Sequence, residues 1–178
     1  HYSIIDDSGN AVSVTYTLGY SFGSGVTIEG TGILGNNQMN NFAHEYGNNS
    51  YRRSASPANK LESLKRPMST MAPIMVFNGD GKLALITGSP GGSQIPNINL
   101  QLLVNVLDFN LDIGEATMLP RIHQDSQEPE LLVEKTVNFD TRRLLEVLGH
   151  NVEISDTIGS TQSIHIVDGV RYGYADLR

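Results

Sequence analysis

Leu83-Ala84-Leu85-Ile86-Thr87-Gly88-Ser89-Pro90-Gly91-Gly92-Ser93, with Asn97 to Phe109 behind it, is the stretch that decides the fold. Leu83 to Thr87 is a short apolar run of strand type, and Gly88 to Ser93 breaks it with turn-forming residues. Beyond the turn, Leu100, Leu103, Val104 and Leu107 recur at the spacing of one helical face. The segment reads as strand, glycine turn, helix. A double glycine at such a junction leaves consecutive backbone N–H groups uncovered, which suits an oxyanion hole or an anion nest. The same residues also serve a plain sharp turn, and spacing alone does not separate the two. No Gly-Lys-Ser/Thr follows, Gly-x-Gly-x-x-Gly is missing, and Ser89 lacks the Gly-x-Ser-x-Gly spacing of a nucleophile elbow.

Outward from this segment, Met75-Val76-Phe77 pairs with 83–87 across the turn Asn78-Gly79-Asp80-Gly81. Tyr2 to Ile5 and Ala11 to Leu18 form another predicted hairpin around Asp7-Ser8-Gly9-Asn10. Gly19 to Gly35 is a glycine-rich loop, and an amide cluster runs from Asn36 to Asn41. Residues 43–64 are polar without a sustained period and read as a long loop of the kind that forms lids. Asp112 caps a short helix over Ile113 to Met118, Leu131 to Glu134 is a strand, and Asp140 opens a helix through Leu144, Leu145 and Leu148 that Gly149 stops. Val152–Ile154, Ser163–Val167 and Val170–Tyr174 are late strands. This mixture of hairpins and helices predicts an α+β fold rather than a doubly wound parallel sheet.

At 178 residues the chain has room for one domain of ordinary size. Twelve Lys plus Arg against nineteen Asp plus Glu give a net charge of −7, which offers no footprint for a phosphate backbone, so nucleic acid is not an expected partner. The absence of Cys excludes disulfides, thiolate metal sites and cysteine nucleophiles. Five histidines stand apart, with no pair at i, i+2 or i, i+4, so no metal and no cofactor is expected. No apolar run is long enough to span a bilayer. Charged residues make up 17% of the chain, against a usual ~25%, which suits a chain that buries much of its surface. The first residue is not Met; a trimmed start, a removed targeting segment and internal processing all remain open on composition alone.

Several blocks together resemble the small subunit of gamma-glutamyltranspeptidases. They are His1-Tyr2-Ser3, Gly9 to Thr17, Leu34-Gly35-Asn36-Asn37-Gln38-Met39, Lys65 to Pro73, Thr87 to Ser93, Ala116 to Arg121 and Gly159-Ser160-Thr161-Gln162-Ser163, in the family's order and at its spacing. The resemblance implies a four-layer αββα sandwich of the N-terminal nucleophile hydrolase type. Residues 1–178 would be a single domain, the small subunit of a self-processed heterodimer, with 43–64 as its lid and a large subunit as partner. It also implies periplasmic or extracellular placement. In the family a Thr heads the small subunit, and its own α-amine, with a pKa near ~8, takes the hydroxyl proton. The family motif is Thr-Thr-His-Tyr-Ser, so the nucleophile is expected two residues before His1, and internal processing becomes the expected account of the missing Met.

Residue by residue, the resemblance casts Thr17 as the partner that tunes the nucleophile and Gly91 and Gly92 as the oxyanion donors. Ser69 and Thr70 match a hydroxyl pair that binds the substrate α-carboxylate. Gln38 matches a residue holding the α-amino group, and Tyr51 the lid tyrosine. Two positions depart from the family: Gly19 stands where it has Asn, and Asn41 where it has Asp, both contacts of the substrate ammonium. Hydrogen bonds to charged groups are worth about 1.5–3 kcal/mol, so weakened selection for an α-amino group is expected. The function expected is hydrolysis or transfer of γ-glutamyl groups from glutathione-like amides through an acyl-enzyme. Glutaryl or cephalosporin acylase activity, a non-catalytic binding homologue and an unrelated ligand-binding module remain as alternatives.

Overall fold

A computed structural model of the chain describes residues 1–43, 56–125 and 128–178. In chain order the strands and helices are β1 (Tyr2–Ile5), β2 (Ala11–Val14), β3 (Thr27–Ile28), β4 (Ile33–Leu34), β5 (Ile74–Phe77), β6 (Leu83–Thr87), α1 (Ile95–Leu107), α2 (Ile113–Met118), β7 (Ile122–His123), β8 (Glu130–Glu134), α3 (Phe139–Val147), β9 (Asn151–Ser155), β10 (Gln162–Val167) and β11 (Val170–Ala175). They fall into two compact units, one of residues 1–15 and 70–178 and one of residues 16–69.

The larger unit is built on an antiparallel sheet in the order β11-β10-β6-β5. The β5–β6 turn works as read: Asn78 Oδ1 accepts from the N–H groups of Asp80 and Lys82 at 3.0 and 2.9 Å, and Gly81 takes the left-handed φ of +75° that the turn requires. The β1–β2 hairpin lies against the inner strands, with Ser13 Oγ donating to Thr87 O at 3.1 Å and Ser3 Oγ to Gln162 O at 2.8 Å. Strand β2 ends at Val14, earlier than the expected Leu18. Leu85 from β6, Leu102 and Val106 from α1, and Ile113 and Ala116 from α2 form the main core.

The buried face of α1 is Ile95, Ile98, Asn99, Leu102 and Val106, not the expected stripe. Of that stripe, Leu103 is half-buried and packs against the main core, whereas Leu100 and Leu107 are exposed. Apolar residues occupy both stripes, so the period marks the helix without choosing its face. The helix also starts at Ile95, with Pro96 in its first turn, where a missing N–H costs nothing. Asp112 caps α2 as expected, accepting from Gly114 N and Glu115 N, both at 2.9 Å. For α3 the cap is Asn138 rather than Asp140: Asn138 has extended backbone and its Oδ1 accepts from Thr141 N at 2.8 Å, while Asp140 sits in the first turn. Leu145 packs on a second cluster of Leu131, Val133 and Val137; Leu144 and Leu148 are exposed. Helix α3 connects β8 to β9, which pair in parallel, with the short β7 antiparallel on the other side of β8.

In the smaller unit the glycine-rich loop carries a two-residue hairpin, β3–β4, and the amide cluster winds into a 3₁₀ turn over Gln38–Asn41. Among the described residues, no helix is long and apolar enough to cross a membrane.

Candidate active site

Strand β6 delivers the glycine turn to the surface. Leu85, Ile86, Thr87, Gly88 and Ser89 are buried, and the chain emerges at Pro90, Gly91 and Gly92. Gly91 has φ +141° and Gly92 φ +57°, both in the region that side chains disfavour, and a Cβ on Gly91 would come within 2.9 Å of Ile98 Cδ1. Glycine is therefore required here for the backbone path. Among the described residues neither N–H has a hydrogen-bond partner, so two adjacent exposed donors stand at the head of α1. Chemically that is a seat for an oxygen that acquires negative charge.

Beneath the turn, Ser89 Oγ donates to Pro90 O at 2.6 Å and accepts from Ser160 N at 2.9 Å, while Gln162 N donates to Gly88 O at 3.1 Å. His1 lies across Gly88, whose missing Cβ leaves the space the imidazole fills. Its Nδ1 is 2.8 Å from Thr15 Oγ1 and its Nε2 3.3 Å from Ser3 Oγ. The start of β1 is thus held beside the end of β6.

Thr70 belongs to the same unit. It is buried, and among the described residues its Oγ1 has no hydrogen-bond partner. A buried hydroxyl without a partner costs about 1–3 kcal/mol, so this oxygen is a group that a bound polar ligand would satisfy. Asn99 of α1 anchors the chain two residues farther on, its Nδ2 donating to Ala72 O at 2.7 Å. Sequence reading passed over Asn99 because an amide inside an apolar helical stripe carries no motif.

In the smaller unit the expected residues form one hydrogen-bonded chain. Thr17 Oγ1 accepts from Gly19 N at 2.9 Å, Gln38 Nε2 donates to Thr17 O at 3.3 Å, and Asn41 Nδ2 donates to Gln38 Oε1 at 2.8 Å. Gly19 has φ +95°, and a Cβ there would lie 3.3 Å from the backbone of Asn37. Asn59, which no motif signalled, extends the chain: its Nδ2 donates to Asn41 O at 2.7 Å and its Oδ1 accepts from Met68 N at 2.9 Å, next to Ser69. Tyr51 and most of the 43–64 loop, with His44, lie outside the described residues.

A charged cluster escaped sequence reading, although Arg121 closes one of the resembling blocks. Arg121, Glu134 and Asp176 are buried, and Arg178 seals them. Glu134 accepts four hydrogen bonds: from Ile158 N at 2.7 Å, Arg121 N at 2.9 Å, and Arg178 Nε and Nη2 at 2.7 and 2.9 Å. Asp176 Oδ2 takes Arg121 Nη2 at 2.8 Å and Thr161 N at 2.9 Å. Burial pushes both carboxyls up, but these donors outweigh it and hold both below their ordinary values. The cluster ties the segment 158–161, on which the glycine turn leans, to β8 and to the residues that follow α2 and β11.

Known structures place this α+β fold in the class of N-terminal nucleophile hydrolases. A chain of the T380A mutant of Helicobacter pylori gamma-glutamyltranspeptidase superposes with a TM-score of 0.93 at 40% identity, covering 99% of this chain and 98% of that one. A cephalosporin acylase from Bacillus halodurans gives a TM-score of 0.83 at 29% identity, covering 97% of this chain and 31% of its own. Within that class the chain belongs to the gamma-glutamyltranspeptidase family, whose sequence model matches residues 1–178. The glutathione hydrolase proenzyme of Escherichia coli (strain K12) is 47% identical over 180 residues, spanning 100% of this chain. The chain spans 31% of that relative's length.

Proposed function

We propose that this chain is the small, catalytic subunit of a self-processed two-chain enzyme that removes the γ-glutamyl group from glutathione-like amides and passes it to water or an amine. The observation that carries the reading is the pair of exposed, unpartnered N–H groups at Gly91 and Gly92, set at the end of a buried strand beside the anchored start of β1. An amide carbonyl under attack develops charge on oxygen, and two fixed dipoles lower that barrier more than mobile water does. The nucleophile in this reading is the Thr that the family motif places two residues ahead of His1, with its α-amine as base and Thr17 tuning its hydroxyl. Ser69 and Thr70 bind the α-carboxylate, and the unpartnered Thr70 hydroxyl is a donor available for it. Gln38 and Asn41 face the α-amino end, Tyr51 and the 43–64 loop form a lid, and a large subunit from the same precursor completes the enzyme. Family resemblance supports a periplasmic or extracellular setting for the mature enzyme.

Selectivity is the point on which this chain departs from its family. Asn41 Nδ2 donates to Gln38 Oε1, and neither side chain carries charge. An ammonium therefore meets neutral acceptors where the family offers a carboxylate, and Gly19 adds no side chain. We infer that acyl groups without the α-amine, such as glutaryl amides, are accepted alongside γ-glutamyl amides. Rates on γ-glutamyl and glutaryl p-nitroanilides, measured with the mature two-chain enzyme, test both statements. Release from the γ-glutamyl substrate supports the function, and a glutaryl rate within about tenfold supports the relaxed selectivity. No release from either overturns the function; a strong preference for γ-glutamyl overturns the relaxed selectivity alone.

A further inference from the structure

Ser89 is fully buried at the end of β6, and none of the roles assigned above uses it. Its hydroxyl has both sides occupied, donating to Pro90 O at 2.6 Å and accepting from Ser160 N at 2.9 Å. The space around it is closed. Gly159, at φ +70°, approaches so nearly that a Cβ there would lie 2.7 Å from Ser89 Oγ and would overlap Ile98. With Gln162 N bonded to Gly88 O, two successive residues of the turn are stitched to the segment 160–162.

The acceptor that Ser89 chooses matters because of what shares its peptide. Pro90 C=O and Gly91 N–H are two ends of one planar unit, and in a trans peptide they point in opposite directions. Fixing the carbonyl from the buried side fixes the N–H on the exposed side. The proline ring restrains φ at 90, but the peptide plane after it is set by ψ of Pro90 and φ of Gly91, and a glycine supplies no restraint of its own. A hydrogen bond to the carbonyl also polarises the peptide and strengthens its N–H as a donor.

We propose that Ser89 is a positioning residue: through the Pro90 carbonyl it aims the Gly91 N–H at the oxygen of the tetrahedral intermediate. This rests on the reading of Gly91 and Gly92 as oxyanion donors. As the nucleophile's bond to the acyl carbon forms, the carbonyl π pair moves onto oxygen, and the aimed N–H holds that charge without giving up its proton. When the C–N bond breaks, its electron pair stays on the leaving amine, which takes the proton that the α-amine accepted from the nucleophile's hydroxyl, and the oxygen pair re-forms the carbonyl. Because acylation and deacylation both pass through such an intermediate, Ser89 acts on both, and it contributes little to holding the intact substrate.

The test uses the mature two-chain enzyme with γ-glutamyl p-nitroanilide, comparing wild type with Ser89→Ala and Ser89→Cys, the latter a near-isosteric replacement with a weak S–H donor. Losing an oxyanion donor outright costs about 10²–10³ in rate, so a mis-aimed one is expected to lower kcat by roughly 10–100-fold. KM should stay within about twofold in both variants. Affinity for a boronic acid analogue of the γ-glutamyl donor, which forms a tetrahedral adduct, should fall in parallel with kcat/KM, while affinity for glutamate stays unchanged. The proposal is overturned if kcat of either folded variant lies within twofold of wild type, if KM rises as much as kcat falls, or if neither variant yields a folded enzyme. Failure of the functional reading itself is distinct, because wild type would then release no p-nitroaniline.

Discussion

The amide of Asn41 donates to the amide oxygen of Gln38 at 2.8 Å, so the two side chains proposed to meet the substrate's ammonium end are joined directly. Gln38 in turn reaches the Thr17 carbonyl at 3.3 Å. The Asn41–Gln38 bond joins two neutral side chains, so neither brings a charge to an incoming cation. A carboxylate at 41 changes that balance.

Asn41→Asp cannot donate to Gln38 Oε1, so the Gln38 amide must turn to present its N–H, giving up the long bond to Thr17. The gain is a negative charge for the substrate ammonium. At about 1.5–3 kcal/mol for a charged hydrogen bond, the ratio of kcat/KM on γ-glutamyl over glutaryl p-nitroanilide should rise by roughly 10–100-fold. An unchanged ratio would show that position 41 does not read the α-amino group.

Thr70→Val separates binding from stability. The Thr70 hydroxyl is buried with no partner among the described residues, so replacing it by a methyl of similar size removes an unsatisfied group and leaves the melting temperature unchanged or higher. The substrate carboxylate meanwhile loses a donor, and KM for γ-glutamyl p-nitroanilide should rise about tenfold or more. A lower melting temperature with unchanged KM would assign Thr70 to the fold instead.

Glu134→Gln breaks a buried cluster from one side, leaving Arg178 and two backbone N–H groups short of a charged acceptor. Removing one partner of a buried ion pair costs about 3–5 kcal/mol, which chemical denaturation of the two-chain enzyme can measure. The same carboxyls set an acid limit. Glu134 and Asp176 are held below their ordinary values of 4.5 and 3.8, so their contribution is complete above those values and is lost as the pH falls through the lower folded ones. Wild type should lose stability steeply below about pH 4.5, and Glu134→Gln should show a shallower slope there.

Much of the fold was legible because its signals are local. The Asn78 to Gly81 turn, the Asp112 cap and the strand, glycine turn, helix passage each depend on residues within a few positions, and each formed where the sequence put it. What was misread depends on distant partners. The face of α1 was chosen by β6 and α2 through Leu85, Ile113 and Ala116, and both of its stripes are apolar enough to have served. Asn138 caps α3 in place of Asp140 because its backbone is extended and its side chain accepts from Thr141 N, while Asp140 already lies in the first turn. The Arg121, Glu134, Asp176 and Arg178 cluster joins residues up to 57 positions apart, and four scattered charges leave no pattern in a sequence. Among the site residues, those at glycine turns and in the amide cluster were visible from composition, whereas the anchors Ser89, Asn59 and Asn99 became visible only through their hydrogen-bond partners.

The central claim is acyl transfer through a covalent γ-glutamyl enzyme assisted by the Gly91-Gly92 turn. Its most direct test is the initial rate of p-nitroaniline release from γ-glutamyl p-nitroanilide by the mature two-chain enzyme, at several concentrations of an amine acceptor such as glycylglycine. The account predicts double-reciprocal plots that stay parallel as the acceptor varies, because the first product leaves before the acceptor binds. Release no faster than in buffer, or lines that intersect as both substrates bind together, would contradict it.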